Sequence, residues 1–189
     1  LDQRDNRLEA AKLAQGRKVL DVFCYGGGFS LHALKHGAIE TVGIDQSASA
    51  LHLAADNAKR NNLGPSRWIL GSAFETLAEL VKTGEKFGLI VLDPPKFARS
   101  RSAIEEAIKG YRKLNTLGLK LLEPGGFLVT CCCSGLITMD MMEQILALVG
   151  ADEKRDIQVL QRRGPSPDHP VAATCLESHY LKCLITRVM

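Results

Sequence analysis

No apolar run in the 189 residues approaches the roughly 18 needed to cross a bilayer, and the opening Leu1-Asp2-Gln3-Arg4-Asp5 lacks the apolar core of a secretory leader. A soluble, cytoplasmic protein with no membrane partner is therefore expected. Cysteine occurs six times, at 24, 131, 132, 133, 175 and 183, but never as C-x-x-C. That argues against a zinc knuckle or a secreted disulfide framework, so free thiols and no metal are expected. An excess of one charge is also missing: 24 Lys plus Arg face 21 Asp plus Glu, a net +3. Dedicated nucleic-acid binders usually carry a strong basic bias, so this balance permits such a partner without pointing to one. Internal repeats and low-complexity segments are absent as well.

What is present is a chain that is 46% hydrophobic and long enough to bury roughly 70% of its unfolded surface, so one independently folding domain is expected. The chain begins at Leu1 and enters helix-like sequence almost at once, as a domain cut from a longer protein would. Helical and strand periods alternate throughout. Helices are expected at 7–15, 29–35, 49–61, 74–82, 104–122 and 139–149, and strands at 18–23, 41–44, 67–70, 87–92 and 127–133, with 123–126 (Glu-Pro-Gly-Gly) as a turn. This alternation is the pattern of a parallel α/β sheet with crossover helices. From Asp156 onward it changes: 157–160 and 180–188 read as strands joined by a Pro-rich loop, and an antiparallel pair is the simplest arrangement.

Open α/β sheets bind ligands beyond the carboxyl ends of their strands, and four of those ends carry chemistry here. The first strand runs through Asp21 into Phe23-Cys24-Tyr25-Gly26-Gly27-Gly28, where glycines admit a close backbone approach to a ligand or simply make a tight turn. The segment is neither G-x-G-x-x-G nor a P-loop. Asp45 ends the second strand, where a carboxylate can accept both hydroxyls of a ribose or merely cap a helix. Asp93-Pro94-Pro95-Lys96-Phe97 holds a carboxyl group rigidly at a strand end and offers Phe97 as a face for a flat ring; the alternative is plain strand termination with Phe97 in the core. Thr130-Cys131-Cys132-Cys133-Ser134-Gly135 places Cys131 and Cys133 on one strand face and Cys132 on the other. Only Cys133 is near enough to the strand end to reach the crevice, and core filling suits Cys131 and Cys132.

These segments, with Asp2-Gln3-Arg4-Asp5-Asn6-Arg7, Asp168-His169-Pro170-Val171 and Tyr180-Leu181-Lys182, resemble the catalytic domain of the bacterial large-subunit (23S) ribosomal RNA cytosine-C5 methyltransferases that depend on S-adenosylmethionine. The likeness covers essentially the whole chain in order. It implies a Rossmann-like class I methyltransferase sheet of seven strands with one antiparallel and helices on both faces. It also implies that the PUA and linker domains usual at the amino end of the family lie outside this sequence. Cofactor contacts are implied for Asp21, Phe23, Tyr25, Gly26, Gly27, Asp45, Gln46, Ser72, Ala73 and Asp93, with ribose at Asp45 and adenine beside Ser72 and Ala73. Substrate contacts are implied for Pro94, Pro95, Lys96 and Phe97. Two positions depart from the family: a threonine is common where Gly26 stands, and an acid that holds the adenine amino group is common where Ser72 stands.

The catalytic residues implied are Cys133 and Asp93. Carbon 5 of cytosine is a poor nucleophile, and a thiolate adding at carbon 6 converts the ring into an enamine that attacks a methyl sulfonium readily. The Asp93 carboxyl group would hydrogen-bond ring nitrogen 3 and the amino group. A lowered thiol pKa is expected from Lys96 or from a helix beginning after Ser134, and His169 is a candidate for the base that takes the carbon-5 proton. The partner expected is 23S ribosomal RNA, with Arg99, Arg101, Lys109, Arg112, Lys113, Arg162 and Arg163 as phosphate contacts and a homodimer as one arrangement. Two rival functions are an amino-group methyltransferase acting on adenine or guanine, which needs no cysteine, and a non-catalytic RNA-binding module.

Overall fold

A computed structural model describes every residue except Arg99, Leu176 and Glu177. Seven strands, β1 (Lys18–Val22), β2 (Glu40–Asp45), β3 (Ser66–Leu70), β4 (Phe87–Leu92), β5 (Leu122–Cys132), β6 (Ile157–Arg163) and β7 (Lys182–Val188), form one sheet in the order β3-β2-β1-β4-β5-β7-β6. Strand β7 runs antiparallel to both its neighbours and the remaining pairings are parallel. The terminal antiparallel pair and the seven-stranded Rossmann-like class match the sequence expectation.

Alternation along the central strands sorts apolar side chains onto two faces. Leu20, Val22, Ile90 and Leu92 enter one core with Leu77 of α4 (Ala73–Thr83), Tyr111 and Leu114 of α5 (Ile104–Leu121) and Leu146 of α6 (Met139–Glu153). Val19, Leu89 and Val91 enter the other with Ala10 of α1 (Arg4–Ala11) and Phe29 and Ala33 of α2 (Gly28–Lys35). The remaining helix, α3 (Ala48–Arg60), packs beside β2, β3 and α2. Among the described residues no helix is long and apolar enough to cross a membrane.

Several boundaries differ from expectation: α1 ends at Ala11 rather than 15, α6 runs on to Glu153 rather than 149, and β6 to Arg163 rather than 160. Helix α1 starts at Arg4 rather than 7, because Asn6 is buried and bonded instead of solvated. Strand β5 starts at Leu122, directly after α5, and 123–126 is an irregularity within the strand rather than a turn before it: Phe87 pairs with Leu122 and Leu89 with Phe127. Strand β7 starts two residues late, at Lys182.

Strand order reverses between β1 and β4, so the crevice beyond their carboxyl ends is where ligand-binding residues should converge.

Candidate active site

The turn after β1 is built under strain. Phe23 and Tyr25 adopt left-handed φ values of 64° and 47°, a conformation that costs about 1–3 kcal/mol at a non-glycine residue and clusters at functional sites. The turn is held by the Phe23 and Cys24 amides, which donate to the Ile44 carbonyl, and by the Tyr25 amide, which donates to Asp45 Oδ2 at 2.8 Å. Gly27 has φ 77°, and a Cβ there would come within 2.9 Å of the Trp68 ring, so only glycine fits. Gly26 differs: a Cβ would meet the end of the Leu53 side chain at 3.2 Å and Asn57 Nδ2 at 3.9 Å, so a larger residue there requires Leu53 to shift by a few tenths of an ångström.

Phe23, Tyr25, Asp45, Gln46, Asp93, Pro94 and Pro95 line a cavity of about 440 Å³ between the ends of β1, β2 and β4. Asp45 Oδ1 accepts from the Ser47 amide at 2.9 Å, so both carboxylate oxygens are anchored and each keeps a lone pair for a ligand hydroxyl. Asp21 is fully buried behind the turn; its Oδ2 accepts from the Ser30 amide (3.0 Å) and hydroxyl (2.8 Å), while Oδ1 has no partner. Burial pushes the Asp21 carboxyl up to about 6, against the Ser30 bonds and the nearby Arg7 charge. Because its folded pKa is raised, Asp21 destabilises the fold progressively as pH climbs from the unfolded carboxylate range through about 6.

Arg7 was no more than part of a motif in the sequence, yet its guanidinium packs where a Gly28 Cβ would stand, 2.6 Å from Nε, and lies 5.7 Å from the Phe29 ring centroid. Its Nε is buried without a partner. A buried acceptor on Asp21 and a buried donor on Arg7, side by side at a glycine cradle, suit a ligand end bearing both an ammonium and a carboxylate. With the Asp45 lone pairs for a ribose, the residues fit S-adenosylmethionine.

Asp93 is half-buried at the end of β4, and its Oδ1 accepts from Gln3 Nε2 at 2.9 Å. Burial raises its pKa to about 7, opposed by the Gln3 bond and by Arg7 and reinforced by Asp21 and Asp2. Cys133 follows β5, half-exposed, with Sγ 3.7 Å from the Pro94 carbonyl oxygen, which sets the thiol beside the Asp93-Pro94-Pro95 segment. Cys131 and Cys132 are fully buried in the opposite cores, as side-chain alternation requires.

The expected lowering of the thiol pKa is corrected: burial, Cys132 and Asp93 hold Cys133 above the ordinary thiol value. No helix follows Ser134 directly, since α6 begins at Met139, and Lys96 points into solvent. A cation at the strand end is Lys182, nearly fully buried opposite Cys132 in the β5–β7 register, with Nζ donating to the carbonyls of Ser134 (2.5 Å) and Tyr180 (3.0 Å). Burial lowers its pKa. A lysine inside the apolar run Leu181–Ile185 was the available sequence signal.

Other expected residues lie elsewhere. Phe97 does not face the cavity; its ring packs 4.8 Å from Tyr111 and 6.4 Å from Phe74, lining a separate groove with Lys96 and Gly110, so its role as a stacking face beside Asp93 is corrected. Ser72 and Ala73 open α4 outside the cavity wall, Ser72 with no side-chain capping bond and Ala73 buried. His169 turns to Asp168, 3.3 Å away, which also pairs with Arg4. Of the expected phosphate contacts, Arg162 pairs with Glu143, Arg112 with Asp152 and Lys109 with Glu106, while Arg163 is tied to Asn6 and Gln161. Arg101 stays exposed, Lys113 lies over the Phe74 ring, and Arg99 falls outside the described residues.

Residues 1–183 match the model of a family of S-adenosylmethionine-dependent methyltransferases. A protein of Aeromonas hydrophila named ribosomal RNA large subunit methyltransferase I is 44% identical over 189 residues, taking in 99% of this chain and 48% of that protein. Its namesake in Tolumonas auensis is 44% identical over 191 residues, with 100% and 48% covered. The chain thus spans about half the length of the curated relatives it matches. Among solved structures, the methyltransferase SMU.776 in complex with S-adenosylhomocysteine (SAH) superposes with a TM-score of 0.87 at 25% identity, covering 99% of this chain and 49% of that one. NSun6 from Pyrococcus horikoshii shares the fold, with a TM-score of 0.70 at 17% identity over 100% of this chain and 51% of its own.

Proposed function

Because the chain belongs to the S-adenosylmethionine-dependent methyltransferase family, we propose that it forms 5-methylcytosine in 23S ribosomal RNA, with Cys133 as nucleophile and Asp93 as the acid that engages the ring. The observation that carries this reading is the placement of a half-exposed thiol against Pro94, next to a carboxyl group whose burial favours its neutral form. An amino-group methyltransferase has no use for that thiol.

S-adenosylmethionine supplies the electrophilic methyl group. Arg7 and Asp21 would hold its amino-acid end and Asp45 its ribose, while Ser72, whose side chain makes no capping bond, would be the nearest replacement for the family's acid toward the adenine amino group. Cys133 and Asp93 carry one proton between them in the active state. With Asp93 near 7 and the thiol higher, that proton rests on sulfur and must pass to the carboxylate as the thiolate adds to carbon 6. Asp93 then gives it to ring nitrogen 3, so the ring reaches the enamine without a free anion. Carbon 5 takes the methyl group and loses its proton to a base; as the thiolate leaves, ring nitrogen 3 returns its proton to the Asp93 carboxylate, which gives neutral 5-methylcytosine. Lys182 supplies positive potential beneath the Cys133–Ser134 backbone during the anionic stages.

A target base in duplex RNA must be flipped out before it can reach this crevice. Lys96 and Arg101, exposed beside the Asp93 loop, suit contact with the flanking phosphates.

The test is product mapping. The protein, given S-adenosylmethionine and unmodified 23S ribosomal RNA, is expected to yield one nucleoside that mass spectrometry identifies as 5-methylcytidine. A methyl group on an exocyclic nitrogen would replace this reading with the amino-group one.

A further inference from the structure

Gln3 and Asn6 are 3% and 1% exposed, and neither is needed for any step above. They form a directed chain of hydrogen bonds that ends on Asp93. Arg163 Nε donates to Asn6 Oδ1 at 2.8 Å, Asn6 Nδ2 donates to Gln3 Oε1 at 2.7 Å, and Gln3 Nε2 donates to Asp93 Oδ1 at 2.9 Å. Asn6 Nδ2 also reaches the Gly164 carbonyl at 3.0 Å, and Arg163 Nη1 reaches Gln161 Oε1 at 3.0 Å. Amides can be flipped, but a guanidinium only donates. Arg163 therefore orients Asn6, Asn6 orients Gln3, and Gln3 presents N–H rather than C=O to the carboxyl group.

We propose that the Arg163–Asn6–Gln3 chain is a positioning device that makes Oδ1 of Asp93 the acceptor and confines its proton to Oδ2, and that this fixed polarity selects cytosine over uracil. Oδ1 has two lone pairs; Gln3 takes one and leaves the other for an exocyclic amino group, while Oδ2, once it has taken the proton from the Cys133 thiol, offers O–H to an unprotonated ring nitrogen. Cytosine presents that donor and acceptor pair, at its amino group and nitrogen 3. Uracil presents the reverse, an oxygen and an N–H, and would leave two buried groups unpaired. The inference rests on the reading of Asp93 as the ring-binding acid.

The charged and titratable groups around Asp93 among the described residues are Asp21 from β1, Arg7 from α1, Asp2 from the segment before α1, Cys131 of β5, which also faces Gln3, and Cys133 after β5. None contributes a hydrogen bond to Oδ1, so Gln3 is the group whose loss changes that oxygen.

The test uses the protein, S-adenosylmethionine and unmodified 23S ribosomal RNA, comparing wild type with Gln3→Leu and Arg163→Met. SAH binding serves as the folding control. In the wild type, kcat/KM rises with pH up to a break near 7, where Asp93 passes its surplus proton to solvent and the pair is left with one. Removing the Gln3 donor raises the Asp93 pKa, so both variants are expected to move that break upward by about half to one unit and to lose about 10–100-fold in kcat/KM. RNA bearing uridine at the mapped position, tested as a competitor, should be rejected roughly tenfold less well. Should Gln3→Leu fail to bind SAH, Arg163→Met, which cuts the chain at its far end, gives the same readouts. Variants that bind SAH with an unmoved break and an unchanged cytosine-to-uracil ratio would overturn the proposal. A wild-type protein that methylates no cytosine would instead overturn the parent reading.

Discussion

Cys133→Ala is expected to lower methyl transfer by roughly 10³–10⁶-fold, the range for removing a nucleophile that no neighbour replaces. Cys131 and Cys132 cannot substitute, since both are fully buried and pinned in opposite cores. SAH affinity should stay within about threefold of wild type, because Cys133 is not part of the wall formed by Asp45, Tyr25 and Asp93, and a change of that size is under 1 kcal/mol. Calorimetric titration with SAH and a single-turnover assay on the same preparation check both halves. Turnover near the wild-type rate would move the function to amino-group chemistry. Loss of SAH binding together with activity would show that the thiol serves the fold.

Asp93→Asn is expected to cost about 10²–10⁴-fold in kcat, the contribution typical of a general acid. The asparagine amide keeps an acceptor for Gln3 and a donor toward ring nitrogen 3, so RNA affinity should fall far less than the rate. It cannot give up a proton, and this changes the pH profile. Wild-type activity rises to about pH 7, stays level and falls only above the raised thiol pKa, where neither group holds the shared proton. In the variant only Cys133 titrates, so the rate should rise continuously up to the thiol pKa, with no break near 7 and no fall beyond. A stopped-flow or quenched series run from below the Asp93 titration near 7 upward into the alkaline range distinguishes the two shapes. A retained break near 7 would mean that Asp93 is not the titrating acid.

The parts of this site that could be read from the sequence are those written locally. Glycines after β1, an acid at the end of β2 and Asp93-Pro94-Pro95 after β4 are punctuation at strand ends; strand alternation set Cys132 apart, and nearness to the strand end singled out Cys133 over Cys131. What escaped depends on contacts between distant segments. Gln3 and Arg7 sit in an ordinary-looking polar helix start, and only the packing of α1 over α2 and the sheet ends brings them to Asp93 and Gly28. Arg162 and Arg163 looked like equivalent surface cations. Adjacent positions on β6 point to opposite faces, so one pairs with Glu143 while the other anchors Asn6.

The thiol pKa was misjudged for a related reason. It depends on how much water the fold removes from Cys133 and how near Asp93 stands, and neither quantity is encoded in adjacent residues. Phe97 was ambiguous in the sequence between crevice and core, and the missing side chain at Gly110 decided it by leaving room for the ring against α5.

Covalent capture is the most direct measurement of the central claim, the addition of Cys133 to carbon 6. Unmodified 23S ribosomal RNA is transcribed with 5-fluorocytidine and incubated with the protein and S-adenosylmethionine, so that fluorine replaces the proton that must leave and the ring stays bound to sulfur. The expected result is a protein–RNA complex that survives denaturing electrophoresis, whose nuclease-trimmed digest carries a methylated fluorocytidine on the peptide containing Cys133, and which Cys133→Ala does not form. Wild-type protein that methylates ordinary cytidine at carbon 5 yet gives no such complex, or gives one through another residue, would contradict it.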